Sequence, residues 1–389
     1  MALSSMASAA TFLRITGSTA FRAETTQAII KALGGNTATF AFNQNSTNTA
    51  TIKNASQAII YNSTQSIIVK TSWSGSVAGL QALTTGSDIT TFLNDATYNP
   101  VTGTVKATAS VLAGGVYTGG TSIPSGTAVF EAAPGNPADV ALADNFAADV
   151  VGLNTSKLAP DNQVGVVFFE WVKNVGAPAD ITNVTNSLAQ SLLTLGAVPQ
   201  SFFSGNNAET TNVFILGRDN LSGSRYITFA ETGFGINSSP VQNTVTPSGA
   251  AVGQINPVAG ATGYSSGGSV ASALILTGSD AGTVGGAGPG WLVGYVGTAD
   301  AQTAISGGGT ALTYNGVPAT PANVENGIYS LWGYEHFNIL TTLAGVQLTT
   351  ANAISSQLTT VDAADFGAGV LISTMNVNRA GDGAPIFHN

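Results

Sequence analysis

The feature that most restricts the fold of this 389-residue chain is a junction that occurs three times: an apolar run, a Gly/Ser turn, then a segment of helical periodicity. In the first, Phe12-Leu13-Arg14-Ile15-Thr16-Gly17 reads as a strand closed by glycine. Ser18-Thr19 then supplies an N-cap for a helix over Ala20–Leu33, with Phe21, Ile29, Ile30 and Leu33 on one stripe. In the second, Ser66-Ile67-Ile68-Val69-Lys70 leads through Ser74-Gly75-Ser76 to Val77–Thr84, where Val77, Leu80 and Leu83 share a face. In the third, Thr211–Leu216 leads through Gly217-Arg218-Asp219-Asn220-Leu221-Ser222-Gly223-Ser224 to a helix beginning near Arg225. Such junctions place a helix N-terminus at the carboxyl end of a strand, where open α/β sheets bind ligands. The third offers a guanidinium, hydroxyls and backbone N–H groups at one point, which suits a tetrahedral oxyanion. Ser and Gly also serve as ordinary helix caps, so both readings stand at this point.

The intervening segments are of a different kind. Residues 37–66 alternate with period two around Thr39–Phe42 and Ala58–Tyr61, and residues 88–137 are rich in Gly, Thr and Pro with short alternating runs at Val101–Val111 and Thr127–Phe130. Both read as β-rich insertions. Ala138–Asp144 reads as a buried strand ending in a carboxylate, and Gln163–Val172 as a strongly apolar strand leading into a second lobe. A helix is expected over Thr182–Leu195, a glycine loop over Gly278–Gly290, a strand over Trp291–Val296 and a helix over Thr349–Thr359. The aromatic run Gly327–Phe337 is expected to cross back to the first lobe, and Ala380–Pro385 reads as a turn-rich tail.

Composition narrows the function. Only 8% of residues are charged, against 43% hydrophobic, so neutral hydrogen bonds must serve the surface. Such a surface suits either a tough extracellular protein or one covered by copies of itself. Eleven Lys and Arg against twenty Asp and Glu, a net charge of −9, form no basic patch and argue against nucleic acid as a partner. The absence of cysteine excludes disulfides, thiol catalysis and thiolate metal sites. No apolar run reaches membrane-spanning length, and Met1–Ala10 ends in small residues without the charged start and apolar centre of a signal peptide.

Several of these pieces, in order, resemble the periplasmic phosphate-binding protein of ABC importers: Ile15-Thr16-Gly17-Ser18-Thr19-Ala20-Phe21, the Ser74-Gly75-Ser76 junction, and the strand ending at Asp144. Arg218 to Ser224 follows the family's Arg-x-Asp-x-Ser-Gly-Thr pattern, and Ala261-Thr262-Gly263-Tyr264 resembles its Ala-Ile-Gly-Tyr. The resemblance implies an α/β, two-lobed type II periplasmic-binding-protein-like fold with β-rich insertions. Residues 11–160 plus 336–389 would form one lobe and 161–335 the other. It implies that Ser74 donates a hydroxyl, Arg218 pairs with the anion's charge, and Ser222, Gly223 and Ser224 give hydroxyl and N–H donors. Asp144 would accept a hydrogen bond from a protonated anion, admitting hydrogen phosphate and rejecting sulfate. In the first loop Ser18, Thr19 and the N–H of Ala20 or Phe21 are all candidates, because the match there is shifted. Asn220 stands where the family carries a carboxylate partner for the arginine, with Asp219 beside it as a substitute. The implied partners are phosphate or a similar oxyanion and an ABC permease, with an extracytoplasmic location and no cofactor. Low charge and insertions are atypical of such an importer component, and favour as the alternative a self-assembling filament or layer subunit built on the same fold.

An enzymatic reading finds Gly263-Tyr264-Ser265-Ser266-Gly267, a Gly-x-Ser-x-Gly pattern that arises readily in a Gly/Ser-rich chain. With His336 and His388 as the only histidines, a Ser–His hydrolase and a histidine metal site are both disfavoured. Asp362, Asp365 and Asp382 are carboxylates without calcium-loop spacing.

Overall fold

The computed structural model describes residues 11–43, 51–65, 67–99, 109–111, 116–278, 290–360 and 369–389. Met1–Ala10, most of the Val101–Val111 run, the interior of the expected glycine loop, and Asp362 and Asp365 lie outside them.

Two α/β lobes share one continuous sheet. Its path runs from Ala251–Ala259 at one edge through Val241–Ser248, Asn212–Leu216, Gly290–Gly297 and Gln163–Lys173. It continues through Trp332–Ile339, Val140–Ala143, Thr11–Gly17, Ile67–Trp73, Gln57–Asn62 and Thr39–Asn43 to Thr121–Ile123. Gln163–Lys173 is the element common to both lobes. Its first half pairs antiparallel with Trp332–Ile339, and Phe169–Lys173 pairs antiparallel with Gly290–Gly297. Every residue of it after Gln163 is buried, as expected for a central strand covered on both faces. Trp171 meets the Tyr295 ring edge-on at 5.5 Å, anchoring the second lobe to it. Trp332–Ile339 in turn pairs with Val140–Ala143, so the aromatic run does return to the first lobe.

Within the first lobe Thr11–Gly17 lies parallel to both Ile67–Trp73 and Val140–Ala143; the helix Arg22–Ala32 follows Thr11–Gly17, and Ser76–Thr85 follows Ile67–Trp73. Asn212–Leu216 lies parallel to Gly290–Gly297 in the second lobe, followed respectively by the helices Gly223–Glu231 and Thr298–Ser306. These five strands therefore end toward the same crevice. Gly17 is required where it stands. Its φ is +115°, a Cβ there would overlap the Leu142 carbonyl, and a Cβ on Gly79 would come within 2.6 Å of its Cα.

The two insertions behave differently from each other. Thr39–Asn43 and Gln57–Asn62 extend the main sheet as an antiparallel pair beside Ile67–Trp73. Of residues 88–137, Thr121–Ile123 adds one parallel strand at the edge, and Ala109–Val111 pairs with Tyr117–Gly119. Thr127–Phe130 is not a strand; only Phe130 forms a bridge, to Leu93. Charge holds this segment down: the fully buried Lys70 ammonium bonds Asp95 at 2.6 Å and Glu131 at 2.5 Å, both from the insertion. A buried ammonium needs such partners.

Five helix starts differ from the sequence expectation: the helix expected from Thr349 begins at Gly345, the one expected from Val77 begins at Ser76, and three others shift as follows. The first helix begins at Arg22 with Phe21 as N-cap. The helix expected from Thr182 begins at Asn186 behind Thr185, because Asn183–Val184 pairs with Thr313–Tyr314 as a strand. Gly223–Glu231 starts two residues before Arg225, capped by Ser222. The C-terminal stretch packs back on the second lobe, where Arg379 bonds Glu231 at 3.3 Å and the carbonyls of Trp332 and Ser330 at 3.0 and 2.9 Å.

Candidate functional site

The sequence-derived residues meet where the strand ends of the two lobes face each other. Asp144 follows the strand Val140–Ala143 and is buried. Its Oδ1 accepts from the Ser76 hydroxyl, and Gly223 of the opposite lobe lies against the same carboxylate. A Cβ at Gly223 would overlap Asp144 Oδ1, so Gly223→Ala is expected to push the lobes apart and lower stability by about 1–3 kcal/mol, read from the denaturation midpoint. Burial pushes the Asp144 carboxyl up to about 6, against the opposing pull of Arg218 and His336.

Arg218 is 2% exposed. Its Nε donates to the Tyr264 carbonyl at 3.1 Å, Nη2 to the Ser265 carbonyl at 3.1 Å and Nη1 to Ser224 Oγ at 3.3 Å. These bonds fix the guanidinium plane. They also account for Ala261–Tyr264 and for Ser265 of the Gly-x-Ser-x-Gly pattern, which serves here through its backbone; Ser266 caps the helix Gly267–Leu274. His336 bonds Asp161 at 2.6 Å rather than Ser265. Asp382 accepts from the Phe146 N–H at 3.0 Å. The negative charges acting on Arg218 are Asp219, Asp300 and Asp144; Asn220 is exposed and its N–H bonds the Ala261 carbonyl.

The remaining expected donors divide into those free to act and those already engaged. Ser222 Oγ accepts from the Arg225 N–H at 3.3 Å, an N-cap. Ser18 Oγ accepts from the Phe21 N–H at 3.2 Å, and the Phe21 ring packs into the core below Gly165. Ser74 is exposed, its hydroxyl 3.0 Å from that of Thr16, and its N–H goes to the Gly17 carbonyl. The hydroxyl that reaches Asp144 is that of Ser76, two residues later and the first residue of the helix. Thr19 and the N–H groups of Thr19, Ala20, Gly223 and Ser224 have no hydrogen-bond partner among the described residues. By contrast, the N–H groups of Val77 and Ala78 both bond the Leu221 carbonyl from across the cleft, at 3.1 and 3.4 Å.

Arg22 and Asp300 were not apparent from the sequence. Arg22, the first residue of its helix, bonds Asp300 at 3.3 Å across the cleft, with both side chains buried. Asp300 lies in the first turn of Thr298–Ser306 and also stands against Gly267, the first residue of Gly267–Leu274, so close that a Cβ there would overlap its Oδ2. The only local signal was the strand–helix junction at Gly297-Thr298. Five helix N-termini thus converge, and their partial positive charges, added to two arginines, create an environment for anionic groups.

The architecture is that of a two-lobed phosphate-binding-protein fold. The structure of a candidate phosphate ABC transporter substrate-binding protein from Clostridium perfringens, solved with phosphate bound, superposes with a TM-score of 0.52 at 12% identity. The match covers 93% of this chain and 99% of that one. An ABC-type phosphate transport receptor from Vibrio cholerae gives a TM-score of 0.46 at 13% identity, over 92% of this chain and 99% of that one. No protein-family profile matches the chain, and no curated protein matches it by sequence.

Proposed function

We propose that this chain is an extracytoplasmic oxyanion-binding protein whose ligand, phosphate or a close analogue, is held between Arg218, the N–H groups of Gly223 and Ser224, the Thr19–Ala20 loop and Asp144. The observation that carries the reading is the convergence of helix N-termini from both lobes on one buried arginine and one buried carboxylate. Donors that lack a protein partner at a helix N-terminus suit an anion. Asp144 supplies the acceptor that a protonated oxyanion needs and that sulfate cannot use. The phosphate carried by the Clostridium perfringens protein of the same fold supports the choice of ligand, and its description as a transporter component supports an ABC permease as partner.

The test is calorimetric. Arg218→Gln is expected to weaken phosphate binding by about 100-fold or more, the range for truncating one member of a buried charge contact. Circular dichroism of the variant controls for folding. A folded Arg218→Gln protein with wild-type phosphate affinity would sink the assignment.

A further inference from the structure

Glu335 lies within the strand Trp332–Ile339 and is fully buried, and among the described residues its carboxyl oxygens have no well-formed hydrogen bond, the Ser18 hydroxyl being the polar group that comes near them. Register explains its position. Antiparallel pairing sets Glu335 opposite Gly165, and sets the next residue, His336, opposite Ala143, which immediately precedes Asp144. Paired residues share one face of a sheet. At Gly165 that face is covered by the Phe21 ring, which a Cβ there would approach to 2.6 Å. Glu335 therefore projects behind the Ser18–Phe21 loop.

The charged groups that act on it there are Asp144, from the end of the neighbouring strand, and Glu24, from the helix Arg22–Ala32; the Ser18 hydroxyl is the polar group beside it. The strand on its other side contributes only Gly165. The arginines of the cleft act elsewhere: Arg218 on Asp144 and Arg22 on Glu24. Three buried carboxyls thus share a region in which Glu335 has no cationic partner. Carboxylates so placed cannot all ionise, and an arriving anion adds a further negative charge.

We propose that Glu335 is the proton-holding partner of Asp144, so that an oxyanion entering the cleft is captured together with a proton retained on this pair. The proposal rests on the oxyanion-binding reading. With the proton on Glu335, Asp144 stays free to accept from the ligand, and capture tightens as pH falls. Glu335 acts through Asp144 and is a positioning residue.

Inorganic phosphate affinity should be measured for wild type and Glu335→Gln from pH 5.5 to 8.5, corrected for phosphate's own ionisation. Above the pH at which the pair loses its proton, wild-type Kd should rise about tenfold per pH unit, the slope of one linked proton. Glu335→Gln, neutral throughout, should lack that rise. Parallel profiles would overturn the proposal while leaving phosphate binding intact; failure of wild type to bind phosphate at any pH would overturn both. Should the variant not fold, calorimetry of wild type in two buffers of different ionisation enthalpy, from the middle of the range up to pH 8.5 where the pair has lost its proton, counts the protons directly. Zero uptake beyond that of phosphate itself would refute the linkage.

Discussion

Asp300→Ala is expected to lower the free energy of unfolding by about 3–5 kcal/mol, the cost of leaving a buried charge without its partner. The side chains of Arg22 and Asp300 are 8% and 7% exposed, so water cannot replace the lost contact. The Arg22 side chain has no other hydrogen bond among the described residues, and Arg218 loses one of the three carboxylates that act on it. The pair also joins the two lobes, so its loss removes a cross-cleft tie as well as a charge partner. Denaturant midpoints measure the effect. The double variant Arg22→Met/Asp300→Ala should recover part of the loss, because it removes the stranded cation too. A loss below about 1 kcal/mol, the size of an exposed ion pair, would show that the contact is solvated and does not hold the lobes.

The second large effect is on the pH dependence of stability. Burial pushes the Glu24 and Glu170 carboxyls up to about 7, and Asp144 up to about 6. Each is raised above its ordinary value, so the folded chain binds more protons than the unfolded chain between that value and the raised one. Stability is then greatest at or below the ordinary carboxyl range and falls as pH rises through about 7. For Glu24 and Glu170 the loss is about 3 kcal/mol each. Asp161 is shifted the opposite way by His336, but its contribution is lost only on acidification below this window. Unfolding free energies at pH 5 and pH 8 should therefore differ by several kcal/mol, with pH 5 the more stable. Glu24→Gln, neutral at both, should reduce the difference by about 3 kcal/mol. Equal stabilities at the two pH values would contradict the burial of these carboxyls.

What was legible in the sequence was short in range. The junctions at Gly17, Gly75 and Gly217 were readable because glycine, cap and helical stripe lie within a few residues of one another. Asp144 and Arg218 were readable because each ends a recognisable apolar strand. The same locality explains the misses. Thr182–Thr185 resembles a helix start, yet Asn183–Val184 is drawn into a strand by Thr313–Tyr314, some 130 residues away. Ser74 and Ser76 are equivalent in a turn motif; only the position of the helix start makes Ser76 the residue that reaches Asp144.

The sequence by itself determined the strand–turn–helix junctions, since periodicity and capping are properties of contiguous residues, and its ordered motifs, through their resemblance to a known family, pointed to the two-lobed fold and to Arg218 and Asp144 as candidate cleft residues. Only the tertiary structure decided which groups remain available and which are already engaged. Arg22 finds Asp300 across 278 residues, the Leu221 carbonyl occupies the Val77 and Ala78 amides, and Glu335 is set beside Asp144 by strand register. The physical reason is that the cost of a buried charge or an unfilled hydrogen bond depends on what surrounds it, and distant segments supply those surroundings.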